Sequence, residues 1–447
     1  MAGRGHEASA RIVRQLRDAL AALLDQRTPF GRLALTQVVL TAGDTLLTVS
    51  LASSLFFKVS PDEARGKVIL YLLLTMAPFA VVAPLLGPII DRSRGARRAT
   101  VVVSSACRAA ICLVLAGDLG SLLLFPEAFA MLVLSKVYLV TKGSLVPLVV
   151  GASERPGGNE LASANARLGL LSSLASLVAA IPAIGVLELL GGAWVLRLDM
   201  VVFLVGTVVA LRLPVGRRAR RSWGDAPAAA PAPAAEPAVA ARPQEAWDEE
   251  TPRGALGPRV NTHPEVLLAL SAMSVLRGLV GFVTFLLAFS LDRMKSAKGW
   301  YGFMLGASVA GALVGVMLVP RARKVLTEPQ MITLSIWSVA LAGALTALVG
   351  GIVIQAFLAF VIGLASAASK PAFDALVQRY VPTAAQGRAF ARFETRLQLI
   401  WVLGALLPVV VSLPLGSGDV VISAVAAVTG LSYLTSRSAL RHRWVTP

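Results

Sequence analysis

The sequence predicts an all-α integral membrane protein of twelve transmembrane helices, arranged as two six-helix bundles joined by a linker. Three observations predict it. Hydrophobic residues make up 56% of the 447, charged residues only 15%, and mean hydropathy is +0.73. Soluble domains carry about 25% charged residues. The apolar residues fall into twelve runs, each near the ~20 residues that a bilayer span needs. One Ala- and Pro-rich stretch divides the runs six and six. A soluble enzyme, a disordered scaffold and a DNA-binding domain are excluded on composition.

Residues 1–32 are polar and basic. Ile12, Val13, Leu16, Leu20, Leu23 and Leu24 recur at helical spacing, with Arg11, Arg14 and Arg17 between them. This pattern predicts an amphipathic helix on the cytoplasmic membrane surface; the alternative is a frayed basic tail. No apolar core with a small-residue cleavage site follows, so it does not read as a signal peptide.

Six runs come next, at about 33–57, 68–90, 99–117, 121–149, 165–190 and 194–213, forming a first bundle over 33–213. Arg217, Arg218, Arg220 and Arg221 then open a segment that is nearly all Ala and Pro over 226–243. Such a stretch buries too little apolar surface to order itself, so 214–263 reads as a flexible cytoplasmic linker. Six more runs, at about 265–291, 300–320, 330–350, 352–377, 389–413 and 419–437, form a second bundle over 264–437, with a tail at 438–447.

The net charge of +17 is topological. With the N-terminus in the cytoplasm, the inside segments hold about four times the Lys+Arg of the outside loops, which places both termini inside. No nucleic-acid partner is needed. The excess of Arg over Lys, with the Ala bias, points to a high-GC bacterial genome and hence to a plasma membrane. Cys107 and Cys112 lie in one apolar run, five residues apart, and suit neither a disulfide nor a zinc site. His6, His263 and His442 show no ligand spacing. No cofactor and no metal are expected.

The halves repeat each other. Lys142 in Lys-Gly-Ser-Leu-Val-Pro-Leu-Val answers to Lys370 in Lys-Pro-Ala-Phe-Asp-Ala-Leu-Val. Arg167 answers to Arg396, and Pro182 to Pro408. Three matches in order at nearly one offset indicate an internal repeat, which is common in transporters with a midplane site.

The loop between runs two and three reads Gly87-Pro-Ile-Ile-Asp91-Arg92-Ser-Arg94-Gly95-Ala-Arg97-Arg98. Gly87 permits close helix approach. Asp91 can pair with a cation or cap a neighbouring helix N-terminus. Arg92, Arg97 and Arg98 can hold the other half or lipid phosphates, a latch that breaks on opening; the alternative is that they only set topology. This loop resembles the signature of the major facilitator superfamily, with slightly longer spacing after Asp-Arg. Its second-half counterpart, Gly315 to Pro320-Arg321-Ala-Arg323-Lys324, lacks the acid. Pro182 and Gly185 resemble a worn antiporter motif of that family. Gly43-Asp44 and Asn165 resemble its macrolide and drug exporter branch. The resemblance implies the major facilitator fold, with a central cavity lined by spans 1, 4, 7 and 10.

Charges at bilayer depth usually face a cavity or a partner. Asp44 reads as the one acid near the midplane of the first half, Glu188 lying near an outer end. It can take up and release a proton or meet substrate; the rival reading is a fixed pair with Arg108 or Lys136. Arg108, Lys136, Arg277, Lys142 and Lys370 make the interior net positive and favour anionic or zwitterionic cargo. Lys370 can pair with Asp374 at i+4, or Lys142 and Lys370 can snorkel to the headgroups. Glu394 and Arg396 read as structural.

The function expected is a secondary transporter working by alternating access, a monomer exporting an amphipathic molecule by proton exchange within membrane lipid. No Gly-rich Lys-Ser/Thr loop marks ATP as the driver. A lipid or lysolipid translocator of the same fold is the alternative. A membrane enzyme would need paired carboxylates, a metal cluster or a nucleophile–base set, and none is evident; a non-transporting receptor is the remaining reading.

Overall fold

The computed structural model describes residues 24–55, 94–119, 121, 123–150, 158–214, 263–293, 298–383, 385–411 and 413–443. Among them are eleven helices, all long and apolar enough to cross a membrane. In the first half these are α1 (Pro29–Leu55), α2 (Arg94–Leu115), α3 (Leu124–Val150), α4 (Gly158–Leu190) and α5 (Gly192–Ala210). In the second they are α6 (Pro264–Arg293), α7 (Lys298–Ala322), α8 (Glu328–Val349), α9 (Ile352–Tyr380), α10 (Gln386–Val410) and α11 (Leu415–Arg443). Eleven of the twelve expected spans thus have a helix. The second, at 68–90, lies outside the described residues, as do 1–23 of the N-terminal segment and 215–262 of the linker.

The helices overrun the apolar runs where their ends are polar. α4 begins at Gly158, seven residues before the run that marked it, because Glu160, Asn165 and Arg167 continue the helix beyond the apolar stretch. At α8 the helix start is fixed locally: the Gln330 side chain accepts the Thr327 backbone N–H at 2.8 Å, closing the first turn. α4 and α5 are joined by Gly191 alone, whose φ of 87° is open to a residue without Cβ.

Two layers of packing follow. Within the first half, α1 lies against α4 and α5, and α5 against α2, around a core that includes Leu40, Leu47, Met131, Leu196 and Phe203. Within the second, α7 packs on α9 and α6 on α10. The α7–α9 contact is backbone to backbone. A Cβ on Gly311 would lie 2.0 Å from the Phe360 carbonyl oxygen, and one on Gly363 2.1 Å from that of Ser308. Small residues allow this approach where lipid offers no hydrophobic drive between helices. The outer faces are apolar: Ile181 is 75% exposed, Leu189 84% and Leu348 85%. Surfaces of that kind face hydrocarbon in a protein of this composition.

Both halves belong to one compact unit. Contacts tie the start of α1 to the end of α5 through Arg32 and the Arg212 carbonyl oxygen at 3.5 Å, and the start of α2 to the turn after α9 through Arg97 and the Thr383 carbonyl oxygen at 2.5 Å. His263, just before α6, stacks on Tyr380 at the end of α9, with ring centroids 4.3 Å apart. These contacts define one end of the bundle, the end where α1 begins and α11 finishes. Replacing Gly363 by Val is expected to lower the stability of the purified protein by about 1–3 kcal/mol, because the backbone of α7 must move; thermal unfolding in detergent measures it.

Candidate functional site

Asp44 sits in the middle of α1 and forms an ion pair with Arg108 of α2. Arg108 is fully buried, and its guanidinium lies 4.0 Å from the centre of the Phe203 ring of α5. Asp44 keeps 36% of its side chain exposed. One member of the pair is therefore sealed in the bundle and the other is open. Lys136 of α3 lies within electrostatic reach of Asp44, Arg277 of α6 and Glu394 of α10 together. Lys142, also on α3, is within reach of Asp44, Asp374, Lys370 and Glu394.

On the second half, Lys370 donates to Asp374 at 2.5 Å, one turn along α9, and to Glu394 of α10 at 2.6 Å. This overturns snorkelling of Lys370 to the headgroups: its ammonium is held by two carboxylates inside the protein. It also gives Glu394 a place in the interior cluster. The i+4 spacing made Asp374 visible in the sequence; the contribution from α10 needed the fold.

A second acid of the first half is missing from the sequence reading. Asp199 of α5 is fully buried, and one of its oxygens accepts the Cys112 thiol at 3.3 Å. Asp44 is thus not the one deep acid of its half. Asp199 stands eight residues into its helix, beside Arg197, and no local spacing marks it. Cys112 is buried and Cys107 exposed, as their five-residue separation requires. A polar chain also runs beside the pair: Tyr138 donates to the side-chain Oε1 of Gln37 at 2.7 Å, and the Gln37 Nε2 donates to Ser172 at 2.6 Å and Thr41 at 3.0 Å.

The halves meet at the end carrying the helix termini. Gln378 of α9 donates to the Gly143 carbonyl oxygen of α3 at 2.9 Å and accepts from Asn165 of α4 at 2.8 Å. A Cβ on Gly143 would enter the Phe390 ring of α10 at 2.9 Å. Arg97, deeply buried, reaches Thr383 across the same junction. Of the loop motif, Gly87, Asp91 and Arg92 lie outside the described residues; Gly95 has open space around it. Arg98 joins Arg32 and Arg212 in lining a groove of about 610 Å³ at this end. Pro182 and Gly185 are exposed on α4, Gly185 with open space beside it.

The second-half loop lacks an acid in its own run but receives one from the next helix. Buried Glu328, at the start of α8, accepts from Arg323 at 2.8 Å and from Arg379 at 2.6 Å. Burial lowers the Arg323 pKa, and the Glu328 carboxylate opposes that fall. Among the described residues no group of His, Cys, Asp and Glu could hold a metal ion.

The family model described as Major Facilitator Superfamily matches residues 33–435. The chain belongs to the Major Facilitator Superfamily. It is 30% identical over 423 residues to an uncharacterized protein of Mycobacterium leprae, covering 90% of this chain and 71% of that one. An uncharacterized protein of Mycobacterium tuberculosis is 31% identical over 314 residues, covering 66% of this chain but only 53% of the relative. The fold is similar to that of a bacterial homologue of the iron transporter ferroportin in its outward-facing state, with TM-score 0.66 and 13% identity over 90% of this chain and 98% of that one. It is also similar to the human organic anion transporter MFSD10, with TM-score 0.64 and 13% identity over 92% and 99% of the chains. The superfamily transporter FucP in its outward conformation gives 0.66 at 10% identity over 91% and 98%. The protein is a multi-pass membrane transporter of the secondary type.

The Gln378 contacts bridge the two halves. Gln378→Ala removes two hydrogen bonds between the halves, each worth about 0.5–1.5 kcal/mol. The variant is expected to shift the population on the order of tenfold toward opening at this end. Spin labels at Glu160→Cys and Lys324→Cys, in a Cys107→Ser background, read this as added long distances in a pulsed electron resonance measurement.

Proposed function

We propose that this transporter has twelve spans with both termini in the cytoplasm, and exports an amphipathic small molecule across a bacterial plasma membrane in exchange for protons. The observation that carries the reading is the Asp44–Arg108 pair. Its carboxyl is partly open, and its guanidinium is fully enclosed. A carboxyl so placed can exchange protons with one side at a time while the buried cation keeps it from drifting. The mycobacterial relatives support a bacterial setting, and the excess of Lys and Arg in alternate loops supports the orientation.

The contacts through Gln378, Asn165, Phe390 and Arg97 close the terminal end, so this conformation is closed toward the cytoplasm in the proposed orientation. Opening there requires those contacts to part and the halves to rock. The interior cations Arg108, Lys136, Lys142, Arg277 and Lys370 stand against Asp44, Asp199, Asp374 and Glu394, a balance that favours anionic or zwitterionic cargo. A second reading, a lipid or lysolipid translocator, is favoured by the arginine-lined groove at the terminal end, whose position and charge suit an anionic headgroup.

Reconstituted vesicles with an imposed pH gradient test the reading. Fluorescent anionic, neutral and cationic amphiphiles and a fluorescent lysolipid serve as probes. The wild type is expected to move an anionic or zwitterionic probe in response to the gradient, and Asp44→Asn to reduce that movement to the rate of empty vesicles. Undiminished pH-driven flux in the variant overturns the proton role of Asp44. Lysolipid movement that ignores the gradient selects the translocator.

A further inference from the structure

We propose that Asp199 is a second acceptor for the Arg108 guanidinium, so that this buried charge passes between Asp44 and Asp199 as the exposed carboxyl gains and loses its own. The proposal starts from unused hydrogen-bonding capacity. Asp199 is fully buried, and its second oxygen has no partner among the described residues. Arg108 is fully buried too, and its Nε and Nη1 are without partners there. Unmet polar groups in an apolar interior each cost free energy. Here the idle donors and the idle acceptor lie in one packed layer.

The layer is a short antiparallel ladder between α2 and α5. Arg108 lies over Phe203, and Cys112, one turn further along α2, donates to Asp199, one turn back along α5. Four residues span about 6 Å along a helix, within the swing of an arginine side chain. The Ser105 hydroxyl fixes the register by donating to the Phe203 carbonyl oxygen at 2.9 Å. The idle oxygen of Asp199 also points toward α1. A Cβ on Gly43 would come within 2.9 Å of it, so this oxygen borders the residue next to Asp44.

Few other groups compete. Among the described residues the charges acting on Asp199 are those of Arg108 and Asp44, with the Cys112 thiol as its bonded neighbour. From α3, Tyr138 and Lys136 face Asp44 rather than Asp199. The second half supplies a contrast. Asp419 of α11 is also buried, but its partner is the neutral amide of Gln355 at 2.5 Å. A deep acid bonded only to neutral groups has no cation to receive; Asp199 has one a helical turn away.

The consequence follows from the difference in exposure. Asp44 is open and can lose its charge to a proton or to a cationic group on a solute. Arg108 would then be a buried cation without a counter-charge, which is strongly unfavourable. Transfer to Asp199, which holds its proton while Arg108 is with Asp44 and gives that proton up as Asp44 takes one, relieves this and moves the ionic tie from α1–α2 to α2–α5. The link from that transfer to transport rests on the proposed proton coupling; the transfer itself does not.

Thermal unfolding of the full chain in detergent tests the proposal through Asp44→Asn, Asp199→Asn and their combination. Each single variant leaves Arg108 one carboxylate and is expected to melt within a few degrees of wild type. The double variant strands the cation and is expected to lose on the order of 10 °C beyond the sum of the singles. Adding Arg108→Gln to the double variant removes the stranded charge and is expected to recover most of that loss. If the double variant does not assemble, assembly of the triple variant supports the proposal. Additive singles, or a triple variant no better than the double, overturn it. Dye flux under a pH gradient, measured on the same samples, separates the two ideas: if Asp44→Asn transports normally while the melting data are super-additive, proton coupling at Asp44 fails and the charge transfer stands.

Discussion

Arg108 is a permanently charged side chain in the closed interior of a helical bundle, and hydrocarbon surrounds that bundle. A guanidinium cannot shed its charge by losing a proton, so its surroundings must answer it. Three helices do so. α1 supplies Asp44, α5 supplies the face of Phe203, and α2 carries the arginine itself. The close approach of α1 to α5 that this needs is made possible by Gly43, where any side chain would collide with Phe203. The packing of the first half and its chemistry therefore share one origin.

A division of labour follows from the strengths of the contacts. The ion pairs described here lie within a half: Asp44 with Arg108, Lys370 with Asp374 and Glu394, Glu328 with Arg323 and Arg379. The junction between halves is bridged by neutral amide hydrogen bonds of Gln378 and Asn165 and by an arginine on a backbone carbonyl. Neutral hydrogen bonds contribute little net and exchange readily with water, whereas truncating a buried ion pair leaves an uncompensated charge. Rigid halves with a separable junction are what rocking of one half against the other requires.

The sequence made the helices legible because span length and apolarity are local properties. Boundaries shifted where a helix ran on past the apolar stretch, as at Gly158, since hydropathy marks the hydrocarbon and not the hydrogen-bond ladder. The family was legible from one loop, although half of that loop lies outside the described residues. Interior charges were legible when they stood out in an apolar run, as with Asp44, Arg108 and Lys370. Asp199 was missed because it lies close to Arg197 near the start of a span, where a charge reads as interfacial. Its depth depends on how α5 sits against α1 and α2. Glu328 was missed because the acid answering Arg323 comes from the next helix.

In each half a cation stands near two carboxylates, yet the two arrangements differ in a way that decides what each can do. Lys370 engages Asp374 and Glu394 at once, at 2.5 and 2.6 Å, and the compact ammonium needs no rearrangement to satisfy both. Losing one partner leaves the other in place, so that cluster is a fixed tie between α9 and α10. Among the described residues Arg108 pairs with Asp44 alone, and one oxygen of Asp199 is left without a donor. The Nε and Nη1 of Arg108 are left without partners there while Asp199 keeps that oxygen idle. A site that satisfies every group is stable and inert; a site with one donor set for two acceptors has two states. That asymmetry between repeated halves places the responsive element in the first half and the anchor in the second.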